Sequence, residues 1–205
     1  MIGSTFRPGH APVRGGLPRA AAASPARHTG CNNLGDRLLR GVAGTLFTLG
    51  AIKVFIAAED HPPPHVHAFH QGEGWTARFR FSFLSDVTGL YRFHRRGRRP
   101  TDATLEAVAD AVTAKLPVCR EAWWHTHGTR HGIGLINRPI ETRTLPATTQ
   151  GDPIRAKVAL APGAAAVAIV SAAYSPANGK VALALADGRK LILTAGQHIE
   201  EAAEW

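Results

Sequence analysis

Asp60, His61, His65, His67 and His70 gather five ligand-type side chains in one short stretch, and Pro62, Pro63 and Pro64 stand in its middle. A proline ring holds φ near about −65° and keeps the preceding residue out of helical backbone, so this loop is extended and stiff. If residues 65–70 form a strand, His65 and His67 share one face about 6.5–7 Å apart at the backbone, and two imidazoles can then meet one ion. His65, His67 and His61 are the candidate metal ligands, with zinc or manganese as the divalent ion. Asp60, His61, His125 or His127 could complete the set. Asp60 and His61 are also the candidate catalytic groups, because an imidazole beside a carboxylate can serve as a general base. With a metal, the same groups would activate water for attack on a phosphodiester, as in a hydrolase or nuclease. The alternative is structural: imidazoles that cap loop carbonyls and stack on Trp75 or on the Trp123–Trp124 pair.

Holding such a loop requires strands on both sides of it. Ile52, Val54 and Ile56 alternate ahead of it, with Leu46, Phe47 and Gly50 before them, which predicts a hairpin or bent strand pair. The clearest strand is 75–83, where Trp75, Ala77, Phe79, Phe81 and Phe83 share one face and Thr76, Arg78, Arg80 and Ser82 the other. That apolar face needs a cover. Thr101 or Asp102 can cap a helix whose Leu105, Val108, Ala109, Val112, Leu116, Cys119 and Trp123 recur at spacings of three and four. Pro117 predicts a kink, or two successive helices. Cys119 falls on the apolar stripe, and no Ser or Cys stands in a recognisable nucleophile context.

The chain has 205 residues, 44% hydrophobic and 19% charged, enough to bury a core. No apolar stretch is long enough to span a bilayer as a helix. The two cysteines, Cys31 and Cys119, have no paired spacing, so neither a disulfide framework nor a thiolate zinc cage follows, and a reduced, cytoplasmic protein is expected. Of the net charge of +9, residues 1–42 carry +5. That segment, rich in Gly, Ala, Pro, Ser and Arg, reads as a disordered leader.

Residues 43–131 read as an α+β histidine-rich domain, 132–163 as a linker rich in Gly and Pro, and 164–205 as a small domain. In the last, three strand candidates are joined at Asn178-Gly179 and Asp187-Gly188, with a short helix at 198–205. The expected fold class is therefore α+β: a small antiparallel sheet covered by one long, Pro-kinked helix, plus a C-terminal three-stranded β-meander. Arg92, Arg95, Arg96, Arg98 and Arg99, interleaved with Tyr91, Phe93 and His94, form a basic cluster that could contact DNA or RNA, or could be a solvated loop. Trp123 and Trp124 cannot both face inward from one helix. Trp124 is the candidate partner-binding anchor or part of the histidine corner.

Residues 45–127, through Asp60-His61-Pro62-Pro63-Pro64-His65-Val66-His67 and the later Leu116 and Trp123, resemble the bacterial domain of unknown function numbered 4160. Ile169 to Trp205, through Gly179-Lys180-Val181 and Asp187-Gly188-Arg189, resembles a second such family, numbered 2442, in a copy truncated at Trp205. The resemblance implies a toxin–antitoxin-type protein that binds a cognate toxin or antitoxin protein, or nucleic acid, away from any membrane. It assigns no activity.

Overall fold

A computed structural model describes residues 42–95, 97–146 and 151–201; the leader expected over 1–42 lies, but for Val42, outside them. Strands β1 (Val42–Leu49), β2 (Ile52–Ala57), β3 (His65–His70), β4 (Trp75–Phe81) and β5 (Thr88–Arg95) form an antiparallel sheet in chain order. Two helices follow, α1 (Asp102–Ala114) and α2 (Leu116–His131). Then β6 (Pro139–Thr144), β7 (Ile154–Val158), β8 (Val167–Ser175), β9 (Lys180–Leu185), β10 (Lys190–Thr194) and β11 (Ile199–Glu200) make a second sheet, ordered β10-β9-β8-β6-β7-β11. Among the described residues only β11 pairs in parallel, with β7. Among the described residues no helix is long and apolar enough to cross a membrane.

This architecture corrects the expected one. Among the described residues the chain is mostly β, in sheets of five and six strands, and the helical part is two short helices in place of one long cover. The break falls at Lys115, whose φ of −116° and ψ of 20° leave the helical region. Pro117 thereby stands in the first turn of α2, where a missing N–H has no partner to lose. In the interior of a continuous helix the same ring would cost about 3 kcal/mol. Thr101 starts α1 by accepting a hydrogen bond from the Thr104 N–H at 3.1 Å.

The segment expected as a linker supplies β6 and β7, in which Ile140, Ala156 and Val158 are wholly buried. The three-stranded meander exists as β8–β10, but it is one side of the larger sheet. Where a helix was expected over 198–205, residues 199–200 form β11, and 202–205 lie outside the described residues. One continuous cluster joins Val54, Val66, Ala77 and Phe79 of the first sheet, Val108, Val112, Leu116, Cys119 and Trp123 of the helices, and Ile140, Val158, Ile169 and Leu183 of the second sheet.

A buried polar set ties the end of the chain to β7. His198 Nδ1 accepts from the Ala156 N–H at 3.2 Å, and its Nε2–H donates to Asp152 Oδ2 at 3.0 Å. Thr194 donates to Asp152 through its N–H and, at 2.7 Å, through its hydroxyl. Burial pushes the His198 imidazole below its ordinary value, against the pull of Asp152. Burial pushes Asp152 up, but hydrogen bonds from Thr194, Lys180 and His198 outweigh it and hold the carboxyl at about 2. Below about pH 6.5 the unfolded chain therefore binds a proton at His198 that the folded chain refuses, so stability falls with falling pH. Asp152 adds a further loss as pH drops from 3.8 through about 2. In urea titrations, His198→Asn is expected to lower stability at pH 7.5 by about 1–2 kcal/mol and to flatten the decline below pH 6.5. An unchanged decline would show that His198 is not its source.

Candidate metal centre

The β3–β4 register sets the site's frame. His65 lies opposite Arg80 and His67 opposite Arg78, so both imidazoles leave the sheet on one face while Val66 and Ala68 leave it on the other. His67 also lies opposite Phe55 of β2, and their rings stack with centroids 5.2 Å apart. The loop between β2 and β3 then brings Asp60 back over the imidazoles. Asp60 N–H donates to the Ala57 carbonyl, and the Ala57 N–H returns a 2.9 Å bond to Asp60 Oδ2. Gly134, at φ 75°, lets the turn after α2 close on this loop: a Cβ there would stand 3.1 Å from Pro64 Cδ. His127 of α2 secures the same corner, its Nε2–H donating to the Ala57 carbonyl at 2.9 Å.

Asp60, His65 and His67 are all buried and can each offer a ligand atom within 4.8 Å of the others. His67 Nε2 is 2.8 Å from Asp60 Oδ1, and His65 Nε2 is 3.2 Å from the same oxygen. Burial pushes the Asp60 carboxyl up, but the imidazoles of His65 and His67 beside it outweigh burial and hold the group well below the usual carboxylate range. It is ionised. His67 Nε2 therefore carries a hydrogen and donates to it. Burial drives the His67 imidazole down despite that bond, so the ring is neutral and its Nδ1 is a lone pair.

His65 is different. Its Nδ1 is 2.8 Å from the Pro63 carbonyl, an acceptor, so Nδ1 carries the hydrogen. Its Nε2 is buried, faces the carboxylate, and has no hydrogen-bond partner. So close to a carboxylate oxygen, Nε2 needs either a proton or a cation between the two atoms. Donors about 2.0–2.2 Å from a tetrahedral zinc stand about 3.3 Å from one another, and the 3.2 Å gap fits that edge. The Pro63 carbonyl also supplies the outer partner that orients a ligating imidazole. His67 Nδ1 has no such partner.

The other sequence candidates disperse. His61 is exposed, bonds the Pro62 carbonyl through Nδ1 at 2.8 Å, and is not one of the three gathered donors. His125 is exposed and 3.7 Å from Glu121. Trp124 is partly buried against the core, its ring 6.5 Å from that of Tyr174, and so is not a free anchor. Arg92, Arg98 and Arg99 are exposed, while the Arg95 side chain and Arg96 lie outside the described residues. Sequence reasoning missed buried Arg120, whose guanidinium donates to the Ser82 and Ser85 carbonyls at 2.8 Å each and to Asp86 at 2.9 Å. It also missed a cavity of about 510 Å³ whose wall includes Pro62, Pro63 and Tyr91. The Tyr91 ring is 5.8 Å from that of His65. No signal in the chain marks either feature, because their residues are brought together from distant segments.

Comparison of the chain with protein-family models, with curated proteins and with solved structures finds no match. Its own residues therefore carry the functional reading.

Cys119 is wholly buried, and burial pushes its thiol up to about 12. A thiol so protonated is a poor nucleophile. In a Cys31→Ser chain, iodoacetamide at pH 8 is expected to leave Cys119 unmodified by mass spectrometry until denaturant is added. Rapid labelling of the native chain would overturn this placement of Cys119 in the core.

Proposed function

We propose that this chain holds one divalent transition-metal ion, zinc or manganese, between Asp60, His65 and His67, and that the ion fastens the β2–β3 loop to β3. The observation that carries this reading is His65 Nε2, a buried nitrogen set 3.2 Å from an ionised carboxylate without a hydrogen-bond partner. Two imidazoles and one carboxylate suit zinc, whereas manganese favours sites richer in oxygen. Side-chain exposures of 0%, 1% and 6% for His65, His67 and Asp60 favour a stabilising ion over one that activates water, which needs an open coordination position. Elemental analysis of protein purified without chelator is expected to find about one zinc or manganese per chain. Returning zinc to chelated protein at about 100 times its Kd is expected to add about 2.7 kcal/mol, a rise in Tm of about 5–10 °C. His65→Phe, which keeps a ring and removes the donor, is expected to abolish that rise. A metal-free chain whose melting ignores zinc and manganese would end the reading and leave an Asp60–imidazolium ion pair in its place.

A second reading, binding of nucleic acid or of an acidic toxin–antitoxin partner, draws support from β5. Arg78 lies directly opposite Arg92 across β4 and β5, where like charges repel, and Arg98 and Arg99 are exposed just beyond. An anionic partner relieves that repulsion. Fluorescence anisotropy with a duplex DNA oligonucleotide is expected to show affinity falling with log[salt]. The double variant Arg92→Ala, Arg98→Ala should reduce the slope by about 2. Binding that is undetectable, or indifferent to salt, would remove nucleic acid from consideration.

A further inference from the structure

Helix α2 ends in His127-Gly128-Thr129-Arg130-His131. Residues four apart on a helix lie one above the other on the same face, and two histidines at that spacing form a clamp for a metal ion. The two rings are already close, with centroids 5.8 Å apart and planes inclined at 39°. Imidazoles that share one tetrahedral ion through bonds of about 2.0–2.1 Å stand about 5 Å apart between centres. His131 is partly exposed, so a small turn of its side chain closes the difference.

His127 is already prepared as a ligand. Its side chain is buried, and its Nε2–H donates to the Ala57 carbonyl at 2.9 Å, the kind of outer bond that orients a ligating imidazole. That leaves Nδ1, which is buried and has no hydrogen-bond partner. Burial holds the ring below its ordinary value, so Nδ1 keeps its lone pair at neutral pH. The Asp60 group does not use that lone pair: among the described residues Asp60, His65 and His67 converge there without His127. The backbone beneath the two histidines is held as well. Trp123, one turn earlier, sets its ring 4.5 Å from that of His127 and donates its Nε1–H to the Gly132 carbonyl at 3.1 Å. The partial negative charge of a helix C-terminus also favours a cation there.

We propose that His127 Nδ1 and the His131 imidazole hold a second divalent ion at the end of α2, one of the late transition metals that imidazole favours, zinc, nickel or copper. This site shares no donor with the Asp60 group and does not depend on it. Two protein donors leave the remaining positions to water on the His131 side, so the ion binds here more weakly and exchanges more readily than one enclosed by three buried ligands.

The test uses zinc alone as the probe, on the full-length chain after chelation. Diethyl pyrocarbonate labelling at pH 7, mapped by peptide mass spectrometry, reads His131 individually. Zinc at about ten times its Kd leaves about one site in eleven free, so labelling of His131 is expected to slow about tenfold. His127→Gln keeps a donor for the Ala57 carbonyl but removes the ring, and is expected to abolish that protection. Calorimetric titration gives a second measure that needs no change in the core: the native chain should take up one more zinc than His131→Asn, and His65→Phe should retain that weaker step. Labelling of His131 that ignores zinc, protection that survives His127→Gln, or equal zinc uptake by the native chain and His131→Asn would each overturn the proposal. A chain whose zinc uptake is lost entirely in His65→Phe has the Asp60 site alone, which also overturns it. Uptake lost in His131→Asn but unchanged in His65→Phe supports this site and counts against the Asp60 one.

Discussion

An ionised carboxylate removed from water must be answered by donors or by cations, and the Asp60 corner is organised around that requirement. An unanswered buried charge costs several kcal/mol, comparable to the whole stability of an ordinary domain. Asp60 Oδ2 is met by the Ala57 N–H of its own turn. Oδ1 is met from the sheet, by His67 directly and by His65 across a longer gap. Around them Pro62 to Pro64 restrict the loop's backbone, Gly134 lets the next turn close on it, and His127 holds the Ala57 carbonyl. Loop, strand and helix meet at one charged oxygen.

A second Asp–His assembly in the same chain shows what such a group looks like when it is complete. At Asp152 both nitrogens of His198 are used, one accepting and one donating, and Thr194 supplies further donors to the carboxylate. Nothing there asks for a ligand. At the Asp60 corner the partners run out: His65 Nε2, His67 Nδ1 and His127 Nδ1 are buried without any. Desolvation of an unpaired polar atom costs about 1–3 kcal/mol, and three of them on the imidazoles of one corner is a concentration that a hydrogen-bonded corner would avoid. The two assemblies share residue types and burial. They differ in whether the hydrogen-bond arithmetic closes, and that difference separates a structural tie from a ligand site.

The loop and the strands beside it were legible in the chain because their signals are local. Alternation marked β2 and β4, spacing put His65 and His67 on one face, and three successive prolines marked an extended connection. What was not legible depends on distant partners. Strands β6 and β7 sit among Gly and Pro residues that read as a linker, and their apolar positions acquire meaning only once Ile140, Ala156 and Val158 join the common core. The helix break was one of two outcomes that Pro117 allowed; which one occurs depends on the backbone at Lys115, which shifts the proline into a first turn. Asp60, weighed as a catalytic group or a completing ligand, proved to be the oxygen on which both imidazoles converge. His61, its neighbour, turned outward because its ring bonds the Pro62 carbonyl beside it.

The cavity follows from how the two sheets join. Near their junction the chain forms a short bridge between Ser85 and Gln197, and the His198 N–H donates to the Leu84 carbonyl at 2.8 Å. Arg120 and Arg138 reach the same region from α2 and from the residue before β6, Arg120 occupied by two main-chain carbonyls and a carboxylate, Arg138 by one carbonyl and a carboxylate. Guanidinium groups need planar, directional partners and cannot be packed over by aliphatic side chains as a Leu or Ile can. A seam built on such groups therefore closes where hydrogen bonds hold it and stays open between them. The chamber beside Glu200 is the space this leaves, and its mixed wall of rings, aliphatic groups and charge is the direct consequence.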